Sequence, residues 1–189
     1  MVTLVRFMQR HATGKFVLVL FSLTMSVYST MLLYSIPAVM AFSPQLPIFD
    51  LSPFGYSFNY ATELLTALGS EGRDVYLSTQ LPLDFIYPGL FSITYALLLV
   101  WLLGKTCNAK SRIYYSAWIP FSAGIFDYIE NLFIINMITS FPNLQVSTVN
   151  IASLFTLLKS SFTMLFFLVL TIAFVLLLKQ KLINRNSKL

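Results

Sequence analysis

The chemistry available to this chain lies in a few ionisable and amide side chains set inside otherwise apolar stretches. Asp127, Glu130 and Asn131 stand at i, i+3 and i+4, so one side of a helix carries all three. Pro120, Ala123 and Gly124 extend that side, which makes the acidic face also the narrow face, where a neighbouring helix can come close. Asp84 opens a second such face, continued by Tyr87, Pro88, Phe91 and Tyr95. Lys159 shares a third with Ala152, Thr156 and Thr163, with Ser153 and Ser160 alongside. Thr24, Tyr28, Met31 and Ser35 form a milder fourth series.

A lone charge near the centre of a bilayer costs about 2.5–3.5 kcal/mol on insertion scales, so these groups call for partners. Measured inward from its basic end, a helix starting near residue 113 puts Asp127 roughly 21 Å deep, and one descending from residue 149 puts the Lys159 backbone about 15 Å below the opposite edge. The lysine stem reaches several ångströms further by snorkelling. A Lys159 pair with Asp127 or Glu130 is the expectation, with Asp84 the acid nearest the surface. Three acids and one base leave an excess of two negative charges if all are ionised. Protonated carboxyls, water, Arg73 folded in from outside, or a bound cation must balance it. Asn131, Thr156 and Tyr87 supply neutral hydrogen-bonding groups.

Other chemistries are excluded by composition. The single cysteine, Cys107, cannot form an intramolecular disulfide or a thiolate metal site, and the single histidine, His11, sits in a basic N-terminal segment, so no Cys-pair redox centre or His-based triad is available. No Gly-rich phosphate loop is present. We expect no metal site and no cofactor.

The elements that hold these residues follow from hydropathy. Of 189 residues 57% are hydrophobic and only 10% charged, against about a quarter charged in a soluble domain. That excludes a water-soluble globule, a disordered chain and a nucleic-acid-binding domain. A bilayer core of roughly 30 Å needs about 20 apolar residues as helix, and four stretches qualify: 16–42, 81–104, 113–138 and 149–178. The first is too long for a secretory signal and is expected to be retained. The chain therefore reads as one membrane domain, an all-α polytopic bundle of four transmembrane helices.

Charge sets the orientation. Arg6, Arg10 and Lys15 precede span one; Lys105, Lys110 and Arg112 fill the loop between spans two and three; Lys179, Lys181, Arg185 and Lys188 follow span four. Asp50, Glu63, Glu71, Asp74 and the single Arg73 lie on the other side. Positive-inside bias places both termini and the short loop in the cytoplasm.

Residues 56–80 read as a short helical cap between spans one and two. Ser57 to Leu68 is amphipathic, with Phe58, Ala61, Leu64, Leu65 and Leu68 on one side and Asn59, Glu63 and Thr66 on the other. Gly69 is placed to end it, and Ser70 to cap a second short helix. The cap is either an interfacial helix packed over the bundle mouth or a lid over an outward-facing cavity.

The string Ala123-Gly-Ile-Phe-Asp127-Tyr-Ile-Glu130-Asn131, followed by Thr156-Leu-Leu-Lys159, resembles an uncharacterised family of small four-span bacterial membrane proteins. In that family Asp-x-x-Glu-Asn in span three precedes Thr-x-x-Lys in span four. Leu65 to Arg73 and Leu83-Asp84-Phe-Ile-Tyr87-Pro88 fit the same pattern, and the likeness covers about 56–179. It implies a bacterial inner membrane and a shared polar site, without implying a reaction. The emopamil-binding group needs an intramembrane histidine, the quinone-linked disulfide oxidoreductases need cysteine pairs, and retinal proteins need seven spans, so none of these fits.

The function expected from these residues is a binding or carrier module. Its partner, besides the bilayer, is a small amphiphile, lipid or cation, held in an outward-facing pocket by Asp84, Asp127, Glu130, Asn131 and Lys159. The alternative is a structural or assembly subunit, with a membrane-protein partner or a second copy, whose charges only lock helices. An intramembrane enzyme using a carboxyl general acid ranks third, since no nucleophile accompanies the acids.

Overall fold

The computed structural model describes residues 2–186; Lys188 and the side chain of Arg185 lie outside that description. The described chain is helical, with no strand. Four helical runs are long and apolar enough to cross a membrane. The first is α2 (Gly14–Thr30), continued through a π-turn at Met31–Ser35 into α3 (Ile36–Met40). The second is α5 (Leu81–Leu103), the third α6 (Trp118–Ser140) behind a 3-10 turn at Arg112–Ala117, and the fourth α7 (Val146–Asn186). At 41 residues α7 is about 60 Å long, roughly twice the hydrocarbon core, so the expected span 149–178 is its middle part.

Consecutive spans pack side by side: α2 on α5, α5 on α6, and α6 most extensively on α7. The two flanking spans, α2 and α7, scarcely touch. The bundle is thus a crescent with α5 and α6 at its centre. Burial follows: 61% and 44% of the most apolar stretches of the second and third runs are buried, against 17% and 11% for the first and fourth.

The centre of the crescent is tight because small residues face each other. A Cβ added to Gly124 would stand 2.1 Å from Ser92 Oγ and 2.9 Å from the Pro88 carbonyl oxygen, so only glycine allows this approach of α6 to α5. Ser92 Oγ bonds to both the Pro88 oxygen (2.7 Å) and the Pro120 oxygen (3.1 Å). Between α2 and α5 the buried hydroxyls of Thr24 and Thr94 meet at 2.8 Å.

The cap is α4 (Phe58–Val75) with the segment before it. Ser57 caps α4 by accepting from the Tyr60 N–H, and Ala61, Leu64, Leu65 and Leu68 are buried, the side anticipated from their spacing. Gly69 breaks α4 at φ 62°. Beyond it the chain differs from expectation. The second helix does not stop short of span two but runs on through a π-turn at Tyr76–Gln80 into α5. No Pro or Gly interrupts residues 73–81, so nothing in this stretch ends the helix. A further helix that the basic N-terminal segment does not announce, α1 (Val2–His11), lies at the opposite end. Its Val5 and Met8 are buried in a cluster with Val100 and Leu103 of α5, while Arg6 and Arg10 stay exposed.

Candidate functional site

The site is built where α5, α6 and α7 meet beneath the cap. Lys159 of α7 points its ammonium at α6, 3.0 Å from Asp127 Oδ1 and 2.5 Å from Glu130 Oε2. Depth alone left a choice between those acids; the side chain reaches both because they are one turn apart on the facing helix. Thr156, one turn from Lys159, donates to Glu130 Oε1 at 2.7 Å. Glu130 and Asn131 have no exposed surface and Asp127 is 8% exposed.

Asn131 serves the backbone. Pro88 has no N–H to give to the carbonyl of Asp84, four residues earlier, and an unpaired buried carbonyl is costly. Asn131 Nδ2 donates to that Asp84 oxygen at 2.8 Å. The proline in α5 and the asparagine in α6 are therefore two halves of one arrangement, which also fixes the height of Asp84 against Asp127.

Asp84 itself, expected to be the acid nearest the surface, is 3% exposed. Beside it stands a residue that charge alone groups with the acids between spans one and two. Asp50 lies in a 3-10 turn, Phe49–Leu51, that folds down under the cap with Ile48 and Phe49 fully buried. Its carboxyl lines the same cavity as that of Asp84. The Tyr76 hydroxyl donates to Asp50 Oδ2, and Gln80 Nε2 donates to Asp50 Oδ1 at 3.3 Å. Ser35, from the π-turn of the first span, donates to Gln80 Oε1 at 2.6 Å. Both π-turns therefore converge on Asp50, and π-turns recur at functional sites. One signal for Asp50 was available: it is an acid inside Ile48-Phe49-Asp50-Leu51, bounded by Pro47 and Pro53, too apolar for a solvated loop.

Burial pushes the Asp50 carboxyl up, but the contact with Asp84, the charge of Lys159 and the Tyr76 and Gln80 donors outweigh it and hold Asp50 below the usual carboxylate range. Tyr56, which follows in the same segment, is anchored by its backbone N–H on Ser153 Oγ at 2.8 Å. Burial, then the charge of Glu130, pushes its hydroxyl well up, so it remains a neutral group.

A cavity of about 300 Å³ opens onto these residues. Asp50, Asp84, Asp127 and Lys159 line its polar part, Leu51 and Pro53 of the cap segment form one wall, and Tyr87 and Phe91 of α5 form another. Tyr87 contributes an aromatic face, stacked on Tyr28 of α2 with ring centroids 5.3 Å apart. Thr156 and Glu130 sit behind the lining. Arg73 is not brought in: its guanidinium donates to the Leu65 oxygen at 2.7 Å across the Gly69 break and lies 4.7 Å over the Phe141 ring. Among the described residues no group of three His, Cys, Asp or Glu side chains is arranged to hold a metal ion.

Comparison with protein-family models, curated proteins and solved structures finds no match to this chain.

Proposed function

We propose that this protein is a membrane-embedded binding or carrier module whose intramembrane ion-pair site holds a small amphiphile, lipid or cation beneath the cap. The observation that carries this reading is the cavity, about 300 Å³, at the small end of ligand-sized pockets. Carboxyls and an ammonium line one part of it and aromatic rings another. A network whose only task was to lock helices would have no reason to leave charged groups facing an open space. In this reading the termini and the Lys105–Arg112 loop are cytoplasmic and the cap faces outward, as the basic residues favour. A bacterial inner membrane is the setting that the family resemblance implies.

The test is thermal unfolding of the purified chain against a panel of lipids, single-chain amphiphiles and inorganic cations. At least one compound should stabilise the wild type, and Asp127→Asn or Glu130→Gln should change that shift. If both variants respond like wild type to every compound, the pocket is not a binding site.

A structural role for part of the network has its own support, since Asn131 is spent on the Asp84 carbonyl and Thr156 on Glu130. As the sole role it predicts that exchanging the charges of Lys159 and Glu130 restores both folding and phenotype. The binding reading predicts recovery of folding without ligand response.

A further inference from the structure

The charges at the cap end of the cavity are unequal in a way that specifies a ligand. Four carboxyls, Asp50, Asp84, Asp127 and Glu130, act on one ammonium, that of Lys159. That ammonium is already committed to Asp127 and Glu130, and among the described residues no arginine reaches the site, since Arg73 is held at Leu65. Asp50 and Asp84 line the cavity with no cation of their own. Asp84 Oδ2 is buried and meets no donor. Two carboxyls lining one cavity favour a proton or a cation between them. Asp50 cannot swing away, because Tyr76 and Gln80 hold both of its oxygens.

The rest of the cavity is apolar. Phe91 and Tyr87 form its inner wall, and its edge runs from Met31 and Leu32 on the first span to Thr163 and Met164 on α7. These are the two spans that scarcely touch. Leu32 is 43% exposed and Met164 69%, so each flanking span gives the rim a side chain that meets acyl chains in a bilayer.

We propose that the ligand is a single-chain amphiphile with a primary ammonium head, which enters sideways from the membrane between α2 and α7. Its ammonium lies between Asp50 and Asp84, and its chain lies along Phe91 towards Met164. This rests on the binding reading above and narrows it. A phosphate-bearing head is disfavoured because Lys159, the one cation lining the cavity among the described residues, is already paired. A bare metal ion leaves the apolar rim without a role.

The test uses the full chain in phosphatidylcholine nanodiscs with radiolabelled tetradecylamine and tetradecanol, each corrected for partition into protein-free discs. The expected result is saturable amine binding at least about tenfold tighter than that of the alcohol, the difference a charge-assisted hydrogen bond makes. Asp84→Asn and Asp50→Asn should each bring amine affinity down to about that of the alcohol. Met164→Trp, at the rim, should slow amine association and dissociation together. Alcohol binding as tightly as amine overturns the ammonium assignment while leaving the cavity as a binding site, and unchanged rates in Met164→Trp overturn the sideways route. Absence of saturable binding by either compound, or by any member of the wider panel, overturns the binding reading as well. Should an Asp variant fail to fold, the amine-to-alcohol ratio of the wild type and the Met164→Trp rates decide alone.

Discussion

Lys159 holds two acids of the neighbouring helix at once, and removing it leaves both without their cation. Breaking a buried pair from one side costs about 3–5 kcal/mol, whereas removing all the charges together is often nearly neutral. Lys159→Met should therefore lower the unfolding temperature markedly, and the triple variant Lys159→Met, Asp127→Asn, Glu130→Gln should recover most of the loss. Asp50 gives a pH signature. Its folded carboxyl titrates below its ordinary value, so the stabilisation it contributes is fully present above about pH 4 and is lost as pH falls through the lowered value. Between pH 7 and 3 the wild type should lose more thermal stability than Asp50→Asn, whose acid limb should be flatter. At this scale the sequence reveals Asp127, Glu130 and Lys159, because helical spacing and the adjacency of consecutive spans place them together. It does not reveal Asp50, whose position depends on how a loop folds back over distant helices. Arg73 is misleading for a related reason: as the lone cation of the cap it invites an electrostatic role, yet a nearby backbone carbonyl and the Phe141 ring claim it.

At the scale of elements, contact between α5 and α6 sets the height of every acid relative to the others. Gly124→Ala should push these helices apart. Overpacking of this kind costs about 1–3 kcal/mol, and the displaced Asn131 and Asp127 should lose register with Asp84. Adding Ser92→Ala removes the nearer obstacle at 2.1 Å but leaves the Pro88 carbonyl at 2.9 Å, so the double variant should recover stability only in part. Thermal unfolding of the two variants beside wild type measures this. The helices themselves are legible because a long apolar run in lipid has few alternatives. The Ser57 cap and the Gly69 break are legible as well. The π-turns are not, since each arises from what its side chains must meet. Ser35 and Gln80 bond to each other across two spans, and no local pattern announces that pairing.

For the whole molecule, the crescent of four spans leaves α2 and α7 apart and gives the cavity its open side. Loop length and hydropathy identify the neighbours along the chain but do not tell whether the first and last spans close the ring. That depends on the small residues drawing α5 and α6 together and on the cap segment folding down between the flanks. The proposed orientation is checked by cysteine labelling in a Cys107→Ser background. In intact cells a membrane-impermeant maleimide should modify Ser70→Cys on the exposed cap, while Lys110→Cys in the basic loop should react only after permeabilisation.

The central claim, that charged groups from three spans and the cap converge on a ligand-accessible cavity, is tested most directly by an experimental density map of the chain in lipid nanodiscs. The account predicts the Lys159 ammonium within about 4 Å of Asp127 and Glu130, Asp50 over Asp84, and elongated non-protein density leading from that pair to the gap between α2 and α7. A lysine turned towards the acyl chains, or a cavity filled by α2 packed against α7, would contradict it.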